Sequence, residues 1–273
     1  MAVPSPACSA VLGTTELRGH IVDFLRASED DLKSCALVSR AFTFLAQGHL
    51  FHTIRLHPAG ERFDYNIDAV IRLREILQTS PHLRPLVRAV HAAIDREILA
   101  QCEQMRLPCV RELTLVTVPT RFPVLGAAQN LLALPSLRTL CIDTFLHSGL
   151  SGLEPVFARC TPGLRTLRIH CVSLSDGGVL HHSSIPAAPS VRAQITDLAL
   201  VRSPQLGAWL LDAQCPLDLS CLRTLEANHT ASPALAAALE PAYASIEVLR
   251  LHARAYLSSS LSLSSRNAHI SFL

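Results

Sequence analysis

The residues that could do chemistry in this chain are poorly spaced for it. Thirteen histidines are scattered, and the one tight pair, His181-His182, sits among Ser, Pro and Gly, which suits a solvated loop better than a pair of metal ligands. Nine cysteines form no Cys-x-x-Cys pair and no dense framework, the pattern of small buried hydrophobes in a reducing compartment. No G-x-G-x-x-G or G-x-x-x-x-G-K-[ST] string occurs and only 11 residues are Gly, so a phosphate-cradling loop has no obvious seat. Gly149-Leu-Ser-Gly-Leu153 lacks the G-x-S-x-G spacing that lifts a serine onto a sharp turn, and H-E-x-x-H is missing. The expectation is a non-enzymatic protein with no catalytic residues, no metal and no cofactor.

Charge and hydropathy narrow the partners. Twenty-four Lys and Arg against 22 Asp and Glu give a net charge of +2, with both signs interspersed. Nucleic-acid binders concentrate basic residues on one face, so no nucleic-acid partner is expected. Apolar residues make up 49% of the chain, but their runs stop short of the ~18 residues that a membrane helix needs. Met1 to Gly13 has no basic flank and is interrupted by Pro4 and Pro6, unlike a secretory leader. These features predict no membrane association and a cytoplasmic or nuclear protein. Its 273 residues suffice for one or two domains with a real core.

The elements that must carry any function emerge from internal repetition. Leu107-Pro-Cys-Val-Arg-Glu-Leu113-Thr-Leu115 reads like Leu134-Pro-Ser-Leu-Arg-Thr-Leu140-Cys-Ile142. Leu164-Arg-Thr-Leu167-Arg-Ile169, Ile195-Thr-Asp-Leu198-Ala-Leu200, Leu222-Arg-Thr-Leu225-Glu-Ala227 and Ile246-Glu-Val-Leu249-Arg-Leu251 repeat the pattern. Anchor leucines at 113, 140, 167, 198, 225 and 249 are separated by steps of 27, 27, 31, 27 and 24. In the closing Leu-x-Leu, period-two alternation sends both apolar side chains to one face of a short strand. The intervening chain must then return and cover that face. Leu150, Leu153, Val156 and Phe157 have roughly helical spacing, as do Leu206, Trp209 and Leu210, and Leu235 with Leu239. A strand, a return helix and a parallel strand one row along predict an α/β solenoid with a parallel sheet. Phe51-His-Thr-Ile54-Arg-Leu56 and Val87-Arg-Ala-Val90 read as two earlier, divergent rows, joined by an amphipathic helix around Asp68 to Gln78.

Residues 14 to 50 have another rhythm. Leu17, Ile21, Phe24 and Leu25 make a helical stripe, and Ser28-Glu-Asp-Asp31 offers a capping box for a second helix. Leu32, Cys35, Ala36 and Ser39 line one side of that helix, while Leu37, Val38, Phe42 and Leu45 occupy others, more apolar surface than three short helices can hide among themselves. Such a unit of about 40 residues is marginal alone and needs something to pack against.

Glu16-Leu17-x-x-x-Ile21-x-x-x-Leu25, Leu32-x-x-Cys35-Ala-Leu37-Val38-Ser-Arg-Ala-Phe42 and His49-Leu50-Phe51, running into Ile54-Arg55-Leu56, resemble an F-box of the fungal kind. The repeats, at ~24–31 residues, are similar to the irregular leucine-rich repeats of F-box proteins. Departures are Gly13-Thr14 where a Leu-Pro pair usually opens the box, and Phe42 where Trp is usual. The repeat's closing Asn or Cys is replaced by Val118, Phe145, Val172, Ser203, Thr230 and Arg254, so no asparagine ladder exists.

The resemblance implies a three-helix F-box-like module over 12–57, a degenerate leucine-rich-repeat solenoid over 58–256 and a low-complexity tail over 257–273. It further implies docking on a Skp-type adaptor of a cullin ubiquitin ligase through Leu17, Ile21, Leu25, Leu37, Val38 and Phe42, with the repeats binding a protein substrate. The alternative is a leucine-rich-repeat scaffold without a ligase role.

Two repeat columns offer binding groups. Arg111, Arg138, Arg165 and Arg223, with Arg88 as a possible fifth, share one slot, either as a basic rail or as stems that shield the strand edge while the heads stay wet. The outward positions tile a face of mixed charge, which suits a protein better than a phosphate backbone. Its candidate substrate contacts are Glu112, Thr139, Asp143, Arg168, Asp197, Glu226 and Arg250.

Overall fold

The computed structural model describes residues 14–56, 67–116, 128–144, 159–171, 192–201, 210, 215–228, 239–242, 244–252 and 269–271. The chain begins with three helices, α1 (Thr15–Leu25), α2 (Glu29–Val38) and α3 (Arg40–Leu50). Ser28 caps α2 as its spacing predicts, its hydroxyl accepting from the Asp31 amide at 3.3 Å. The second helix is shorter than the apolar pattern suggests. Ser39 is fully extended (φ −162, ψ 159), ends α2, and starts α3 by accepting at its carbonyl from the Phe42 and Thr43 amides. The Thr43 hydroxyl closes the corner by donating to the Ala36 carbonyl at 2.6 Å.

Beyond the helices, strands follow in chain order: β1 (Thr53–Leu56), β2 (Ala89–Ala93), β3 (Glu112–Val116), β4 (Thr139–Thr144), β5 (Thr166–Cys171), β6 (Ala193–Gln194), β7 (Asp197–Val201), β8 (Leu217–Asp218), β9 (Thr224–Asn228), β10 (Val248–His252) and β11 (His269–Ser271). The main sheet runs β1-β2-β3-β4-β5-β7-β9-β10-β11; its first eight strands are parallel and β11 is antiparallel. The tiny strands β6 and β8 pair with each other. The six anchor leucines are register partners in one unbroken column, preceded by Ile54 and Val90. Both divergent rows are therefore strands of the sheet.

Helices α4 (Ile67–Thr79) and α5 (Arg96–Met105) and the short α6 (Gln129–Leu132) join the first rows. The amphipathic segment expected between the first two rows is α4. Helix α5 is capped by Asp95, whose carboxylate accepts from the Glu97 and Ile98 amides, and ends at Arg106 in the left-handed region (φ 50). It buries Ile98, Leu99, Cys102 and Met105, one helical face, against the sheet. One apolar core runs from Ile54 to Ala242, while the three N-terminal helices keep a small core of their own from Val22, Leu32, Cys35, Phe42 and Ala46. The helical spacings proposed around Leu150 and Leu235, the expected return helix at Leu206, and all six closing-slot residues lie largely or wholly outside the described residues.

Strand entry is organised by the backbone of the arginine column. The carbonyls of His52, Arg88, Arg111, Arg138, Arg165, Thr196 and Arg223 each accept from two successive amides of the next row, at 2.7–3.2 Å. Serine hydroxyls add rungs elsewhere: Ser136 donates to the Val110 carbonyl at 2.7 Å and Ser245 to the Leu222 carbonyl at 2.8 Å. These residues occupy the same repeat slot, just before the first apolar residue of the row. They tie each row to the one before it.

Candidate functional site

Two surfaces carry the candidate residues. The first is the outside of the helical module. An apolar side chain left in water forgoes about 1.5–3 kcal/mol of burial, so large exposed apolar groups on a small unit stand out. Phe24 is 87% exposed, Leu37 88%, Val38 72% and Phe44 62%, with Leu17 and Ile21 about two-fifths exposed. Leu25 is half-buried against the module core.

Phe42 is placed differently from the sequence expectation. It is 7% exposed and forms part of the module core, so it holds the helices together instead of presenting a docking surface. The cause is the break at Ser39, which puts Phe42 on α3 facing Leu32 and Cys35, not on the second helix. On α1 the stripe Leu17-Ile21-Phe24 turns to solvent. Val22 and Leu25, rotated about 100° around a helix of 3.6 residues per turn, turn inward. Phe24 and Phe44 thus join the exposed set. Their only signal in the sequence is that α1 and α3 are apolar on more than one side.

The second surface is the open face of the sheet, away from the helices. Alternation puts two rows of side chains there across the strands. One reads Glu112, Thr139, Thr166, Asp197, Thr224 and Val248; the next reads Thr114, Cys141, Arg168, Ala199, Glu226 and Arg250. Asp143 begins a third row, beside His170. All seven expected contact residues therefore lie on this one face. Glu112, Asp143, Arg168 and Arg250 are exposed, and Thr139, Asp197 and Glu226 are half-buried.

Its electrostatics are local. The Asp197 carboxylate accepts from the Thr196 hydroxyl at 2.7 Å and lies 3.5 Å from that of Thr166. The Cys141 thiol is raised above its ordinary range chiefly by burial, then by Asp143; Arg168 opposes this and Glu112 adds to it. Cys141 is consequently held as a neutral thiol, the opposite of what a nucleophile needs. Burial likewise pushes Cys102 and Cys160 up to about 12, as expected of packing groups.

The arginine column serves the strand edge. Arg138 donates to the carbonyls of Pro135 and Leu137 at 3.2 and 3.0 Å and fills the space that a Cβ on Gly163 would occupy. Arg165 donates to the Gln194 carbonyl at 3.0 Å, and Arg223 approaches Glu247 at 3.8 Å. Among the described residues no cluster of His, Cys, Asp and Glu could hold a metal ion, and no helix is long and apolar enough to cross a membrane. No family model, curated protein or solved structure matches this chain.

Proposed function

We propose that the chain is a substrate receptor of a cullin-based ubiquitin ligase, its helical module docking a Skp-type adaptor and its repeats, read as leucine-rich repeats, capturing a protein. The observation that carries this reading is the exposed apolar set on the three N-terminal helices, above all Phe24, Leu37 and Val38. A unit that merely capped the first row would turn such residues toward the sheet, yet the module keeps a separate core and leaves them in water. The resemblance of residues 16–56 to an F-box supplies the chemistry of the partner, an adaptor groove that receives apolar helix residues. The open face, with side chains of both signs, supports capture of a protein on the repeats.

Binding of the purified chain to a Skp-type adaptor, measured by calorimetry, tests this. Wild type is expected to bind, and Leu37→Asp with Val38→Asp to abolish binding while the circular dichroism spectrum is unchanged, because both side chains are already in solvent. Absence of adaptor binding by the wild-type protein would sink the ligase reading and leave an interaction scaffold in its place.

A further inference from the structure

The open face is not uniform along the stack. Between β5 and β10 it holds a hollow of about 170 Å³ lined by Thr166, Arg168, Asp197, Ala199, Thr224, Glu226 and Arg250, with the Leu198 backbone. Ala199 makes the hollow: it is the small member of a row whose neighbours are Arg168 on one side and Glu226 then Arg250 on the other. Backbone groups inside a paired sheet are already satisfied, so recognition here falls to side chains.

The charges are unequally engaged. Asp197 accepts from hydroxyls and Glu226 also has a partner. The Arg168 and Arg250 side chains are exposed and make no hydrogen bond or ion pair among the described residues. Toward β3 and β4 the face turns acidic, with Glu112 and Asp143 exposed around Cys141. Within the hollow an anion is thus favoured at the two guanidinium groups, which carboxylates engage with paired, charge-assisted hydrogen bonds.

We propose that this hollow binds an extended acidic segment of a protein partner, lying across the strands with carboxylates at Arg168 and Arg250. Three strand spacings of about 4.8 Å separate these residues, about 14 Å, which an extended chain spans in about four residues. The recognised pattern is therefore an Asp or Glu at i and another at i+4. Residues between them must be neutral or basic, because Asp197 and Glu226 lie between the arginines and repel a third carboxylate. The side chain at the centre settles into the hollow between Ala199 and Glu226. This deepens the substrate-capture reading above and rests on it.

Selection of displayed random peptides on the full-length protein tests the proposal, with the selected peptides then titrated by fluorescence polarisation. Acidic residues four apart should be enriched over the input library, with neutral or basic residues between. Arg168→Glu with Arg250→Glu should lose that enrichment and weaken the selected peptides by at least about tenfold, the equivalent of one lost charge-assisted contact. Ala199→Trp, which fills the hollow without changing charge, should do the same. Arg138→Glu with Arg165→Glu, at the strand entry, should keep the motif. Melting temperatures and adaptor binding of each variant separate the two readings, since adaptor affinity should not move with Arg168, Arg250 or Ala199. A library without acidic enrichment, or the same motif selected by either hollow variant, overturns the proposal.

Discussion

Of the 32 described residues of α1, α2 and α3, only Val22, Leu32, Cys35, Phe42 and Ala46 are buried. From β1 to β9 each row of the main sheet adds two or three buried side chains to a core continuous from Ile54 to Ala242. Both regions are rich in apolar residues, so composition does not separate them. The difference lies in what covers an apolar face. A strand row is covered by its neighbours above and below and by the segment that returns to the sheet, and every added row strengthens the last. Three helices of 10 or 11 residues pack mainly on each other, with α3 also touching the Pro81–Leu86 turn, and units of this size are marginal without a partner. Among the described residues, most of the large exposed apolar side chains belong to the helical module, with Ile76 of α4 the exception in the stack.

Breaking that contrast should produce its largest effect at Phe42. Phe42→Ala removes a buried ring, a change that costs about 3–5 kcal/mol in well-packed cores, more than a small module can absorb. Limited proteolysis should then cut within residues 15–50 while the stack stays protected. Cleavage spreading equally into the strands would mean that the two cores are one cooperative unit.

Next come the anchor leucines. Leu140→Ala and Leu167→Ala, both 0% exposed, should each cost about 2–5 kcal/mol in urea unfolding. Their outward neighbours Thr139→Ala and Thr166→Ala should stay within about 0.5 kcal/mol. Equal costs at inward and outward sites would overturn the alternation that defines the open face.

A smaller effect sharpens the account of the module. Ser28→Ala deletes the hydroxyl that caps α2 and should lower stability by about 1 kcal/mol, read as a modest fall in the helical signal on heating. Under the proposed docking, adaptor affinity should hold once the module is folded, since Ser28 serves α2 and not the exposed set. Loss of affinity at full helicity would instead put Ser28 in the contact.

The reach of the sequence differs between these regions for a physical reason. Period-two alternation in a recurring Leu-x-Leu motif has one solution even though the row length varies, so Leu113, Leu140, Leu167, Leu198, Leu225 and Leu249 could be read as one column, and so could the outward row that contains Glu112 and Asp197. Helix α5 was also legible, since Asp95 precedes Ile98, Leu99, Cys102 and Met105 on one face, but it falls between two more conspicuous leucine motifs. The antiparallel strand His269–Ser271 follows a serine-rich stretch outside the repeat pattern, and its three-residue pairing covers the edge of β10 through backbone contacts that leave little trace in side-chain pattern. The serine rungs at Ser136 and Ser245 are equally silent, because a hydroxyl that reaches a carbonyl 23 or 26 residues away looks like any loop serine.

The sequence by itself determined which residues face inward along the strands, where the rows fall, and that the charges of the open face are mixed. Tertiary structure alone decided which side of α1 turns inward, because Leu17, Ile21 and Phe24 on one side and Val22 and Leu25 on the other are equally apolar. The extended backbone at Ser39 breaks the helix there, sends Phe42 into the core and leaves Leu37 and Val38 in water. It also decided that Ala199 opens a hollow between Arg168 and Arg250, for residues on different strands meet only through register. Local periodicity specifies which face a side chain takes, but what lies opposite that face is set by the packing of segments far apart in the chain.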